Sequence, residues 1–285
     1  MTRVVSLVAS LLVVLAVLAD PSSAAERCQE HEIPTNREPP SRLGENPSNF
    51  DLVDAVAALM RDKLGLPLPA WRKAYVCPNE AAFSESILRN FGVKAWDQSV
   101  TTAAGLATPV GIFLRGDYLA RRDLAGRVAI IAHELGHLSQ RELAGPRVHD
   151  APRWIVEGHA EWVAFRVLDR LGYGAFDVRR AEVGFSLARW AIPATLLPGL
   201  DALDSREQWQ RSTLSLSHAA TYGQAFLAVD RLTERYGSAK VVEFLSSLRW
   251  DSVFPISYGQ FVDDFRVHVR SLGPGDDLQH TLSEG

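Results

Sequence analysis

The chain has 285 residues, 47% of them apolar and 22% charged. This is the composition of a globular protein of one or two domains, long enough to bury a sizeable core, and not that of a disordered chain. The net charge of −4 leaves no basic excess to neutralise phosphates, which speaks against a general nucleic-acid binder.

Met1-Thr2-Arg3 opens the chain with a positive charge, and Val4 to Ala19 is an uncharged apolar run. Asp20 and Pro21 break that run, and Ser22-Ser23-Ala24-Ala25 supplies the small residues of a processing site. Residues 1–25 are therefore expected to be a signal peptide cut near Ala25. The alternative is a retained anchor, but a spanning helix needs about 20 apolar residues and this run is shorter. No later run approaches spanning length, so the mature protein is expected to be secreted or extracytoplasmic, with no membrane contact beyond the leader. Residues 26–48 carry Pro, Asn and Glu without a period and predict an irregular arm.

Asn49 to Leu64 puts Phe50, Val53, Val56, Ala57 and Met60 on one stripe, and Gly65 with Pro67 ends that helix. Lys73 to Cys77 reads as a strand, Glu80 to Asn90 as a helix, and Val110 to Leu114 as a second strand between Pro109 and Gly116. A helix from Asp123, a suitable N-cap, to Gln140 carries Leu124, Val128, Ile131, Leu135 and Leu138 on one face. Another runs from Arg153 to Leu171, with Pro152 at its start and Gly172 at its end. Further helices are expected near 178–191, 221–236, 238–249 and 257–271, and residues 273–285 form a polar tail. Strands in the first half and helices in the second predict an α+β fold. We expect one domain over 49–272, with an α/β part at 49–150 and a helical part at 151–272. The two cysteines, Cys28 and Cys77, would form a disulfide in an oxidising compartment.

The chemistry is concentrated in His133-Glu134-Leu135-Gly136-His137, an H-E-x-x-H pattern inside the strongest helix. Residues four apart differ by about 40° around a helix, so both imidazoles leave one face and can reach a single Zn²⁺. Glu134 stands about 100° away, placed to act as general base without being a ligand. The alternative is a helix carrying two unrelated histidines, and the next helix weakens it. In Trp154-Ile155-Val156-Glu157-Gly158-His159-Ala160-Glu161-Trp162, a helix–loop–helix return lets Glu157 face the histidines as third ligand. That leaves one position open, and one zinc per chain is expected. Glu161, a turn later, is expected to accept the free ring N–H of a histidine. His159, two positions from Glu157, points elsewhere and reads as a surface or packing residue. His149-Asp150 could line the cleft, and no calcium loop is present.

H-E-L-G-H, followed after nineteen residues by the helix carrying E-G-H-A-E, resembles the gluzincin metallopeptidases, the thermolysin-like group. It is most similar to the peptidase MA-like proteins with their P-x-W-x-x-E-G-x-A-E pattern, matched from Pro152 to Glu161. The similarity extends through Tyr222-Gly223-Gln224-Ala225-Phe226-Leu227 and covers roughly residues 100–250. It implies a zincin-like fold, peptide or protein substrates, and Tyr222 as donor to the oxyanion, with His218 as the other candidate. It also implies that residues 110–114 form an edge strand on which an extended peptide pairs; read by themselves, these residues could equally be sheet core. The expected function is an exported zinc metallopeptidase, with endopeptidase action slightly favoured for want of a clamp for a free amino terminus. The alternatives are a non-catalytic binding or structural module and a zinc hydrolase of non-peptide amides. No motif supports serine, cysteine or nucleotide chemistry. A monomer is the default.

Overall fold

The computed structural model describes residues 27–91, 103–189 and 197–272. The leader, the polar tail and the end of the helix expected to reach 191 lie outside them. The fold is mixed α+β. Its strands are β1 (Gln29–Glu32), β2 (Lys73–Cys77), β3 (Gly105–Thr108) and β4 (Gly111–Arg115). The helices of the first half are α1 (Asn49–Leu64), α2 (Glu80–Phe91), a short α3 (Gly116–Leu119) and α4 (Leu124–Ala144). A 3₁₀ turn over Gly145–Asp150 then leads to α5 (Arg153–Arg170), α6 (Phe176–Arg189) and α7 (Arg206–Ser215). The chain continues with α8 (His218–Tyr236), α9 (Ser238–Ser247), a short α10 (Trp250–Val253) and α11 (Tyr258–Ser271).

The strands form one sheet in the order β1-β2-β4-β3, with β2 and β4 parallel and both outer pairings antiparallel. All five residues of β4 are buried, as an inner strand covered on both faces requires. Ile112 and Leu114 join the main core, while Phe113 stacks on Tyr75 and packs with Phe83 and Ile87 of α2. Gly111 has φ 139, and a Cβ there would run into the Lys73 carbonyl of β2, so only glycine lets β4 approach. β4 is thus not the edge strand expected at 110–114. The edge is β3, a four-residue strand too short and too small in its side chains to carry a readable period.

The arm also departs from expectation. Rather than being irregular throughout, it contributes β1, which is polar and mostly exposed and so lacks any apolar alternation. A disulfide joins Cys28 to Cys77, holding β1 beside β2. Ser48 and Asp51 form a capping box at the start of α1, and Gly65, left-handed at φ 65, ends it. From Leu52 to Met60 every residue of α1 is buried, which includes Asp54. His31 and Arg37, each 2.8 Å from that carboxylate, supply the partners a buried charge needs and tie the arm to the core. That core runs from Ile33 to Val269, joining arm, sheet and helices. Among the described residues no helix is long and apolar enough to cross a membrane.

Candidate metal centre

α4 begins on Asp123, whose side chain accepts the Gly126 N–H, and it runs one turn beyond the expected end. Its Val128, Ile131, Leu135 and Leu138 are fully buried, while His133 and His137 lie half-buried at the cleft. α5 returns beside it. Trp154, fully buried, donates from its indole to the Tyr258 hydroxyl at 2.9 Å and stacks on Phe261, seating the start of α5 on α11. Small residues set the spacing between helices. A Cβ on Gly136 would lie 3.2 Å from Ala160 Cα, and one on Gly158 would collide with the Ala225 carbonyl of α8.

This packing brings His133, His137 and Glu157 together. The two Nε2 atoms are 3.0 Å apart, and Glu157 Oε2 is 3.4 Å and 3.5 Å from them. His133 Nδ1 lies 3.0 Å from Glu161 Oε1, and His137 Nδ1 lies 2.9 Å from Gln140 Oε1. A carboxylate and an amide oxygen only accept, so a neutral ring at either position places its proton on Nδ1 and turns the Nε2 lone pair inward, although His133 Nδ1 only approaches Glu161 without an aligned hydrogen bond. Gln140 is oriented by its amide nitrogen, which donates to the Val156 carbonyl at 2.8 Å. Three acceptors therefore converge, and the buried Glu157 Oε2 has no hydrogen-bond partner. Tetrahedral bonds of about 2.0–2.1 Å imply ligand atoms about 3.3–3.4 Å apart. The separations found bracket that value, so these residues fit a metal ion such as Zn²⁺.

The electrostatics agree. Burial opposes ionisation of Glu157, but the charges of Arg153 and His137 and the close approach of both imidazoles outweigh it and hold the carboxyl well below its usual range. Burial also opposes a charge on His133, yet the adjoining Glu157 and Glu161 carboxylates raise its pKa well above the ordinary value. The cluster thus stabilises positive charge at its centre, whether a proton or a metal ion.

Glu134 is not one of the three converging groups; its side chain packs against Gly105 of β3. Gly105 leaves it room, since a Cβ there would stand 2.6 Å from Glu134 Cγ. Burial raises its pKa, opposed first by the charges of His133 and His137 and last by the backbone N–H of Ala107. The strand register turns that N–H away from β4. Arg115 N–H bonds the Ala104 carbonyl, so with Gly105 opposite Leu114 the residues that face β4 are 104, 106 and 108. Gly105 and Ala107 turn their polar groups outward.

Tyr222 and His218 both stand on this side of the site. Their rings stack at 3.7 Å, Tyr222 lies edge-on to Trp209, and its ring is 6.0 Å from His133. Burial, with Glu157 next, raises the Tyr222 pKa well above its usual value, so it remains a hydroxyl donor. His149 is exposed in the 3₁₀ turn.

Two residues went unrecognised in the sequence. Arg153 pairs with Glu157 Oε1, and Gln140 connects His137 to His159 Nδ1 at 3.1 Å. Their signal was spacing alone: Arg153 is one turn before Glu157, and Gln140 is three residues after His137. His159 is a packing residue, buried to 2% exposure. Burial, followed by the charge of His137, lowers its pKa to about 3. The chain is thus a mixed α+β protein with a His/His/Glu cluster that can hold a metal ion. Comparison with protein-family models, curated proteins and solved structures gave no match.

Proposed function

We propose that this chain is an exported zinc-dependent peptidase of zincin-like fold, related to the gluzincins. The observation that carries the reading is the convergence of two Nε2 lone pairs and one carboxylate oxygen at 3.0–3.5 Å, with a separate buried carboxylate, Glu134, alongside. His133, His137 and Glu157 would hold the ion, and Glu161 and Gln140 orient the two imidazoles. Bound Zn²⁺ would supply a Lewis acid that polarises a carbonyl and makes water acidic near neutral pH.

The chain's own groups do the rest. Glu134, with its pKa raised by burial, takes a proton from water and passes it to the leaving amine. Tyr222 donates its hydroxyl proton to the developing oxyanion, with His218 packed against it. The outward amide and carbonyl groups of Gly105 and Ala107 offer an extended peptide a strand to pair with, which moves the expected binding edge from 110–114 to β3. The Cys28–Cys77 disulfide supports an oxidising compartment and hence export. Nothing in a purely structural metal site calls for Glu134.

Elemental mass spectrometry of the purified protein should find about one zinc per chain. Glu134→Gln should retain that zinc while peptide hydrolysis falls by about 10²–10⁴-fold, the usual worth of a general base. Failure to take up zinc, or full activity in Glu134→Gln, would overturn the reading.

A further inference from the structure

α4 and α5 lie antiparallel, and their facing residues form successive rungs. His133 stands opposite Glu161, and His137 opposite Glu157. Carried one turn further on each helix, the same register puts Arg141 and Arg153 at the next rung. That rung carries two cations, where the two before it each match a base with an acid. Arg153 is answered by Glu157 Oε1. Arg141 is half-buried, and among the described residues no acid pairs with it. Burial lowers its pKa and no carboxylate offsets the effect. Two more basic groups, both exposed, stand within electrostatic reach: His149 in the 3₁₀ turn and Arg206 at the start of α7. The His149 imidazole is lowered first by burial and then by the charges of Arg141, Arg153 and Arg206 together, while the neighbouring Asp150 acts in the opposite sense.

Gathering cations with one of them half-buried and unanswered is costly. It becomes favourable when an anion docks. Helical side chains lean toward the helix N-terminus, so Arg141 leans back toward His137. We propose that Arg141, supported by Arg153 and Arg206, binds a carboxylate of the substrate about one helical turn (~5.4 Å) from the metal-binding histidines. This rests on the peptidase reading and narrows it to a substrate class. An extended peptide advances about 3.3 Å per residue, so the carboxylate lies one or two residues from the scissile bond. It is either the chain's own C-terminus or the side chain of an Asp or Glu. Arginine suits either source, since its planar fork takes both oxygens of a carboxylate.

The test uses the full chain carrying Glu134→Gln, so that binding is read without cleavage. Three peptides are titrated by calorimetry: acetyl-Leu-Ala-Ala with a free carboxylate, its C-terminal amide, and the amide of acetyl-Leu-Ala-Glu-Ala. One anionic peptide should bind about tenfold or more tightly than the neutral amide, as expected of a charge-assisted bidentate pair, and which one does so identifies the source. Adding Arg141→Gln should erase that preference while leaving binding of the neutral amide and the melting temperature unchanged. Arg141→Lys should restore only part of it. Equal binding of all three peptides, no binding of any, or a preference that survives Arg141→Gln would overturn the proposal. The titration is repeated after chelation, and zinc content is read separately. A chain that takes up no zinc yet keeps an Arg141-dependent preference would retain the carboxylate site and lose the peptidase reading.

Discussion

Replacing Gln140 by leucine keeps the side chain's bulk and removes three polar contacts at once. Gln140 is fully buried and bonds His137 Nδ1 at 2.9 Å, the Val156 carbonyl at 2.8 Å and His159 Nδ1 at 3.1 Å. Val156 still accepts within its helix, so two groups are left unpaired, His137 Nδ1–H and His159 Nδ1. At about 1–3 kcal/mol for each unsatisfied buried group, folding stability should fall by roughly 2–6 kcal/mol. The effect on metal is separate. Loss of the group that orients a metal-binding histidine costs about 10–100-fold in affinity, or ~1.4–2.7 kcal/mol. Chelator competition measures zinc affinity, and denaturant melts of the metal-free protein measure stability. Gln140→Glu separates the two effects, because it still accepts from His137 but cannot donate to Val156 or His159. It should keep zinc affinity within a few-fold and still lose stability. Zinc affinity unchanged in Gln140→Leu would mean that His137 is oriented by something else, and the tautomer argument would fail.

Removing the disulfide by changing Cys28 and Cys77 to serine opens a link between residues 49 apart. This should cost ~4 kcal/mol on the chain-entropy account, read from denaturant midpoints. Gly158→Ala forces a methyl into the Ala225 carbonyl. It should lower stability by about 3 kcal/mol or more, since neither backbone can yield, and a thermal melt close to wild type would refute the packing described. His159 stays neutral in the fold down to about pH 3, whereas an unfolded imidazole takes its proton near 6.5. Between those values the unfolded chain binds the extra proton. The stability due to His159 is therefore complete above ~6.5 and is lost as pH falls toward ~3, at about 1.4 kcal/mol per pH unit. His159→Asn keeps an acceptor for Gln140 and should remove that slope, as measured by denaturation at pH 4 to 7.

The ligand helices were legible because period and capping agree there: Asp123 caps α4 as expected, and the apolar face of α4 is the buried one. The metal-binding residues could be found for the same reason, since helical spacing carries an angle as well as a distance. Pairing between strands carries neither. Gly105–Thr108 and Gln29–Glu32 are held by their neighbours' backbones, with no apolar alternation of their own, so the sequence alone does not show that β4 lies between two strands. α7 escaped because its sequence is polar, anchored by Trp209 alone among its buried side chains. Gln140 and Arg153 act across the interface between two helices, and a linear pattern does not report which opposite residue a side chain meets.

The two borders of the sheet are unequal, and this gives the molecule a direction. The Ile33 N–H bonds the Arg72 carbonyl, so by the alternation of antiparallel pairing the amides of Glu30 and Glu32 face out from β1. A strand arriving on that border meets two carboxylates, a common guard against unwanted addition. On the opposite border the corresponding positions are Gly105 and Ala107, small and uncharged, beside Glu134. Among the described residues the sheet is therefore open to addition on the β3 side, and on the proposed peptidase reading a guest strand paired there would lie beside Glu134.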